Sequence, residues 1–333
     1  MSATGPDRPG SVHAHGPGGT RPAPLPLAEG VIAAAELARP AAADGQVADY
    51  IAPLATVDPW RFALVVSQLD GAEHLEGDGD ETFAIQSISK VFSLVLALRS
   101  IEASSGVEDD LWCRVGREPS GDPFNSLVQL ERERGIPRNP MINAGAIVVD
   151  DVLLDRLDDP VAATCELLSE LCGEPVELDQ EVLRAEQATA HRNRSLAHLM
   201  ADFGNLHHDL EVVLASYIGA CAISMTARQL ARAMRFLAND GVDPVTGRRV
   251  LAAPLARRVA ALMLTCGTYD AAGEFAFSVG LPCKSGVAGA IVAVVPDRAA
   301  ACVWSPPLDH TGNSVAGRIA LHELAERCAL SVF

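Results

Sequence analysis

The sequence is short of positive charge. Only 26 of its 333 residues are basic against 43 acidic, a net charge of −17, and so acidic a chain repels nucleic-acid phosphates and anionic lipid alike. Nucleic acid and membrane surfaces are therefore not expected partners; a small molecule is. Long apolar runs are also missing. No stretch reaches the roughly 18–20 residues that span a bilayer, and the N-terminus lacks the charged-then-apolar order of a secretory signal, which points to the cytoplasm. The eight cysteines, Cys113, Cys165, Cys172, Cys221, Cys266, Cys283, Cys302 and Cys328, are scattered without a C-x-x-C pair or a histidine at zinc spacing. They read as reduced, buried thiols, and no metal site is expected.

What is present describes an ordinary globular chain. It is 49% hydrophobic and 21% charged, with a length that fits one large domain or two closely joined ones. Residues 1–30 hold twelve prolines or glycines and the pair His13 and His15, a composition that reads as a disordered tail. A catalytic domain is expected over 31–330. In it, Phe62–Gln68 and a partner before Asp78 read as a hairpin, and Gln86 to about Ile101 is apolar nearly all round, the mark of an interior helix. Residues 106–265 carry mainly helical patterns between Gly/Pro/Asn loops, and Val47–Leu54 also reads as helical. Glu274–Leu281, Val287–Val295 and Ala300–Trp304 read as strands, and Ser314–Cys328 as a closing helix. The acidic pairs Asp150-Asp151 and Asp158-Asp159 read as solvated helix ends and turns. The expected fold is α/β, an antiparallel sheet built from N- and C-terminal segments (about 31–105 and 266–330), flanked by helices, with an all-helical lobe inserted (about 106–265).

Lysine is nearly absent. All but two of the basic side chains are arginine, and the exceptions are Lys90 and Lys284. Where arginine serves as the routine cation, a lysine invites the question of what arginine cannot do, which is to lose its proton. Lys90 ends Ser87-Ile-Ser-Lys90 at the mouth of the interior helix. Spaced i and i+3, the two share one face of a first turn, close enough for a neutral amine to take the serine proton. Burial and the positive end of the helix dipole both favour that neutral amine. Lys284 opens Lys284-Ser-Gly286 at a strand entrance, where the glycine would let a substrate approach the backbone. An S-x-x-K helix facing a K-[ST]-G strand is the arrangement of penicillin-binding proteins and class A β-lactamases.

From about Val31 to Cys328 the chain resembles the serine-dependent glutaminase family, a branch of the β-lactamase-like fold. The resemblance is carried by Val47-Ala-Asp-Tyr50-Ile, Phe83-Ala-Ile-Gln-Ser87-Ile-Ser-Lys90, Glu118-Pro-Ser-Gly-Asp-Pro-Phe-Asn125 and Asn139-Pro-Met-Ile-Asn143-Ala-Gly. It continues through Cys266-Gly-Thr-Tyr269-Asp, Gly280-Leu-Pro-Cys-Lys284-Ser-Gly-Val287, Trp304-Ser-Pro-Pro-Leu-Asp309 and Gly312-Asn-Ser-Val315. The resemblance implies a nucleophile at Ser87, its base at Lys90, a proton-relaying phenol at Tyr269, and oxyanion donors in the backbone N–H groups of Ser87 and Val287. It implies that Asn143, Glu186, Asn193 and Tyr217 hold the α-amino and α-carboxylate groups of the substrate, with Tyr50 lining the pocket. The family usually has glycine where this chain has Ala190, and serine where it has Ala185.

The expected activity is hydrolysis of L-glutamine to L-glutamate and ammonia through a Ser–Lys acyl-enzyme, without metal or organic cofactor, in a homodimer or homotetramer. The rival readings are a penicillin-recognising or esterase-like serine hydrolase of the same fold, and a catalytically silent binding or assembly protein.

Overall fold

The computed structural model describes residues 23–104, 109–121 and 123–333. Most of the stretch read as a tail lies outside these residues, and helix α1 (Leu27–Ala38) already begins within its last part. A single turn, α2 (Ala52–Ala55), precedes the hairpin β1 (Ala63–Gln68) and β2 (Glu73–Gly77) and the short β3 (Thr82–Ala84). Next comes the interior helix α3 (Ser89–Ala103). The helical middle comprises α4 (Asp109–Trp112), α5 (Leu127–Arg132), α6 (Asn143–Leu154) and α7 (Pro160–Cys172). After the two-residue β4 (Glu177–Leu178) it continues with α8 (Gln180–Thr189), α9 (His191–Asp202) and α10 (Leu210–Cys221). Strand β5 (Ile223–Thr226) leads to α11 (Ala227–Ala233), α12 (Arg235–Ala238), α13 (Ala253–Cys266) and α14 (Ala272–Ser278). The chain closes with β6 (Cys283–Ser285), β7 (Ala290–Val295), β8 (Ala299–Trp304) and α15 (Val315–Cys328).

Five strands form one antiparallel sheet in the order β2-β1-β8-β7-β6, so strands far apart in sequence lie side by side. Because side chains alternate along a strand, Leu64, Val66, Ile291, Ala293, Ala301 and Val303 pack with α1 and α15 on one face. Val65, Val292, Val294, Cys302 and Trp304 join the core of the helical middle on the other. Burial on both faces explains why β7 reads as a continuous apolar run, and it makes the sheet a rigid wall between two helical layers.

Four expectations need correction. The middle is not all-helical, since β5 pairs with both β3 and β4 in a second, three-stranded sheet of order β3-β5-β4. Glu274–Leu281 is not a strand; α14 occupies most of it. Phe275 and Val279, four apart, are buried while Phe277 is 89% exposed, so the apparent alternation had no buried strand face behind it. Asp150 and Asp151 are not solvated. They lie inside α6, 2% and 0% exposed. The helical reading of Val47–Leu54 shrinks to α2, while Gln46 bridges to Leu308 instead.

Candidate active site

Ser87 sits in the 3₁₀ turn Gln86–Ile88 that feeds directly into α3. From Ser89 to Leu98 every residue of α3 is buried, which fixes the turn to the core. The residue before the serine, Gln86, is in the left-handed region at φ 51°, a conformation that costs a non-glycine residue energy and that the packed surroundings must hold. Tyr269, in another 3₁₀ turn, has φ 59°. Two strained turns thus meet at the site.

Strand β6 comes close to the serine turn, and glycine makes this possible. A Cβ on Gly286 would stand 2.8 Å from the Ile85 carbonyl oxygen, so Gly286 admits the serine-bearing backbone. The next residue, Val287, thereby lines the same cleft as Ser87.

That cleft, of about 410 Å³, is also lined by Tyr50, Asn143, Glu186, Asn193 and Tyr217. All the candidate substrate-binding residues except Tyr269 therefore line one cleft. Lys90 and Tyr269 stand behind the lining. The Lys90 amine, 2% exposed, donates to Asn143 Oδ1 at 2.7 Å, and the Asn143 amide donates in turn to Asn193 Oδ1 at 3.0 Å. Since an amine to be held in place here offers donors, the carboxamide oxygen must face Lys90 and its NH₂ group Asn193. The Tyr217 ring lies 5.7 Å from the Lys90 amine. The Tyr269 phenol faces the Ser87 hydroxyl and donates to the Ser285 carbonyl at 3.3 Å. The same carbonyl accepts from the Lys284 amine at 2.6 Å, and that amine lies 4.5 Å from the centre of the Tyr269 ring.

Neither lysine forms an ion pair with a carboxylate among the described residues. Burial lowers Lys90 to about 8, although Cys221, Glu186 and Asp150 pull it upward. It lowers Lys284 well below the usual lysine range, and the nearby charge of Lys90 adds to the effect. Burial raises the Tyr269 phenol to about 12, so it is a proton carrier in its neutral form, and it raises the Glu186 carboxyl, against the pull of Gln86 and Lys90. A hydroxyl that lines a cleft and faces a neutral phenol, three residues before a buried amine lowered to about 8, suits nucleophilic attack with proton transfer.

The rim is built from local capping. Asp179 accepts from the N–H groups of Glu181 and Val182 to start α8, which carries Glu186. Ala190 joins α8 to α9 at φ −72°, an ordinary conformation, so the glycine usual in the family is not required there. Asn139 Oδ1 accepts from the N–H groups of Met141 and Ile142, while its amide donates to the Glu118 carbonyl. One side chain thereby sets both the entry to α6 and the start of the loop 118–125, whose Phe124 packs on Tyr269 with ring centres 4.6 Å apart.

Several lining residues were absent from the sequence reading. Gln86, 3% exposed, lines the cleft and acts on the Glu186 carboxyl through its side chain. Phe124, Asn125 and Cys221 also line it. One compositional signal was available, because the chain has just three tyrosines and all three, Tyr50, Tyr217 and Tyr269, converge here.

The glutaminase family model matches residues 45–333. The chain is 52% identical over 290 residues to a glutaminase of Paraburkholderia phytofirmans, covering 87% of this chain and 93% of that one. It is 50% identical over 298 residues to a glutaminase of Caulobacter vibrioides, covering 90% and 95%. Among solved structures, a probable glutaminase superposes with a TM-score of 0.85 at 36% identity, covering 92% of this chain and 99% of the other. A probable glutaminase from Bacillus subtilis complexed with 6-diazo-5-oxo-L-norleucine superposes with a TM-score of 0.81 at 33% identity, covering 92% and 97%.

Proposed function

Because the chain belongs to the glutaminase family, whose activity is hydrolysis of an amide, we propose that it cleaves L-glutamine to L-glutamate and ammonia through a covalent Ser87 intermediate. The support comes foremost from the placement of Ser87, the buried Lys90 amine and the Tyr269 phenol at one end of a cleft whose rim carries Glu186.

Lys90, neutral, takes the proton of Ser87 Oγ as that oxygen bonds to the side-chain amide carbon of glutamine. The carbonyl electrons move onto oxygen, and the backbone N–H groups of Ser87 and Val287 stabilise that charge. When the C–N bond breaks, Tyr269 supplies the proton that turns the leaving group into ammonia and recovers one from Lys90. Water, deprotonated along the same path, attacks the γ-glutamyl ester and frees glutamate and Ser87. Glu186 pairs with the substrate α-ammonium, while Asn193, Asn143 and the phenols of Tyr50 and Tyr217 donate to its α-carboxylate. An S-x-x-K turn packed on a K-S-G strand also supports kinship with the β-lactamase-like fold.

The test is ammonia release from glutamine by wild type and Lys90→Arg, run beside nitrocefin and p-nitrophenyl ester assays. Arginine keeps the charge and cannot act as the base, so ammonia release should collapse. Turnover of the β-lactam or ester with no ammonia from glutamine would reject the reading.

A further inference from the structure

Tyr269 reaches the serine from a backbone that has to be held. Its φ of 59° lies in the left-handed region, which a tyrosine keeps only where its surroundings enforce it. Strand β6 fixes one side of the turn. The Gly267 carbonyl accepts from the Ser285 N–H at 3.2 Å, and the two backbones lie so close that a Cβ on Gly267 would collide with the Cys283 carbonyl.

The other side is fixed by the loop between β8 and α15, which has no part in the chemistry above. Asn313, fully buried, donates through its amide to the Thr268 carbonyl at 3.2 Å. That carbonyl and the Tyr269 N–H share one peptide plane, so the bond sets the plane from which Tyr269 departs. The Ala271 N–H donates to the same oxygen at 3.2 Å and closes the 3₁₀ turn.

The Asn313 amide is itself locked. It also donates to the Thr311 hydroxyl at 2.8 Å, and that hydroxyl spends its own proton on Asp309 Oδ1 at 2.6 Å, so toward the amide it can only accept. The same carboxylate oxygen takes the N–H groups of Thr311 and Asn313 at 2.8 and 3.2 Å. Turned the other way round, the carboxamide would set its oxygen against the Thr268 carbonyl. The loop is tied down at its end by Ser314, which donates to the Ser305 carbonyl at 2.7 Å and accepts from the Gly317 N–H to cap α15. It also reaches the rings of the site, since a Cβ on Gly312 would lie 3.9 Å from the Tyr269 ring and 4.0 Å from that of Phe124.

We propose that Asn313 is a positioning residue for the reaction: through the Thr268 carbonyl it holds the Tyr269 turn so that the phenol meets the departing nitrogen. The proposal rests on Tyr269 being the proton donor to the leaving group. An amide nitrogen must take up a proton as its bond to carbon breaks, whereas the sulfur of a thioester leaves with the electron pair as a thiolate. A misplaced phenol therefore slows cleavage of the amide and spares that of the thioester.

The test measures kcat/KM, which reports the acylating half of the reaction, for glutamine and for the γ-methyl thioester of glutamate. Wild type is compared with Asn313→Ala, Thr311→Val, Tyr269→Phe and the double variant Asn313→Ala/Tyr269→Phe, with melting curves confirming the fold. Asn313→Ala should lower the value for glutamine by about 10- to 100-fold and that for the thioester by less than about 3-fold. Thr311→Val, which frees the amide to turn, should give the same pattern with a smaller loss, and it carries the test if Asn313→Ala does not fold. Tyr269→Phe should cost about 100-fold or more on glutamine, and adding Asn313→Ala should cost little further, because both act through one phenol. Losses that are absent or equal for the two substrates in the folded Asn313 and Thr311 variants overturn the proposal, as does a full additional loss in the double variant. A Tyr269→Phe variant that loses equally on both substrates overturns instead the assignment of Tyr269 as the proton donor.

Discussion

The floor of the cleft and its rim are built differently. The floor, Ser87 with Lys90, Tyr269 and Lys284 packed behind it, comes from two 3₁₀ turns, α3 and β6, and all four residues are at most 7% exposed. The rim, Glu186 and Asn193, comes from the helix pair α8 and α9, the first capped by Asp179, and Tyr50 stands 56% exposed on the segment before α2. One side chain is hydrogen-bonded to both. Asn143 accepts from Lys90 and donates to Asn193. The floor thus spends buried polar groups and strained backbone on a fixed geometry, while the rim remains solvated enough to admit a charged amino acid. Defects in the floor should therefore appear in kcat, and defects in the rim in KM.

The largest loss is expected from Ser87→Ala, which removes the proposed nucleophile and should lower kcat by about 10⁴-fold or more, and from Lys90→Arg, by about 10³-fold. Stopped-flow or coupled ammonia assays at saturating glutamine measure both. An acyl-enzyme trapped by quenched mass spectrometry in wild type and missing in Ser87→Ala would tie the loss to the covalent step. The acid limb sharpens the point. A base works when neutral, so kcat/KM should rise with pH through a midpoint near 8, the value to which burial lowers Lys90. A flat profile from pH 6 to 9 would show that the floor does not depend on that amine.

Asn143→Ala should give an intermediate effect, because it unlinks the two regions. Both kcat and KM are expected to worsen, together by roughly 10- to 100-fold in kcat/KM, about 1.4–2.7 kcal/mol. A change confined to KM would place Asn143 wholly in the rim.

The two regions also differ in how far the sequence exposes them. The floor was legible because its chemistry is written locally. Ser87 and Lys90 are three residues apart, and a lysine in a chain that otherwise uses arginine marks itself. Lys284 announces its strand through the glycine that follows, although that glycine turned out to seat the Ile85–Gln86 backbone. The rim was legible only through resemblance, since Glu186 and Asn193 look like ordinary surface-helix residues and meet the serine through tertiary packing alone. Asp150 was misread for the same reason. Nothing local tells a carboxylate at a helix end from one folded against α10, and the Ser216 hydroxyl that receives it lies 66 positions along the chain. The second sheet escaped notice because β4 is two residues long and β3 three, too short for alternation to register.

Within the rim, Glu186→Gln should raise KM for glutamine by about 10- to 100-fold with kcat changed far less, because a neutral amide would not supply the charge proposed to pair with the α-ammonium. Glutamine acylated on its α-nitrogen should be a poor substrate for wild type, and it should lose little further in the variant. An equal drop for both substrates would mean that Glu186 supports the fold of the rim rather than reading the ammonium.

The smallest effect is expected at Tyr50. Its ring lines the cleft, but more than half of the residue is open to water, so any hydrogen bond from its hydroxyl competes with solvent and is worth about 0.5–1.5 kcal/mol. Tyr50→Phe should accordingly raise KM by about 2- to 10-fold and leave kcat and the acid limb where they are. A fall in kcat comparable to that of Asn143→Ala would show that Tyr50 is drawn down onto the bound substrate and becomes part of the floor during turnover. Glutamine titration followed by tyrosine fluorescence, compared between wild type and Tyr50→Phe, would detect that movement directly, since burial of a half-exposed phenol changes its emission while Tyr217 and Tyr269 are buried from the start.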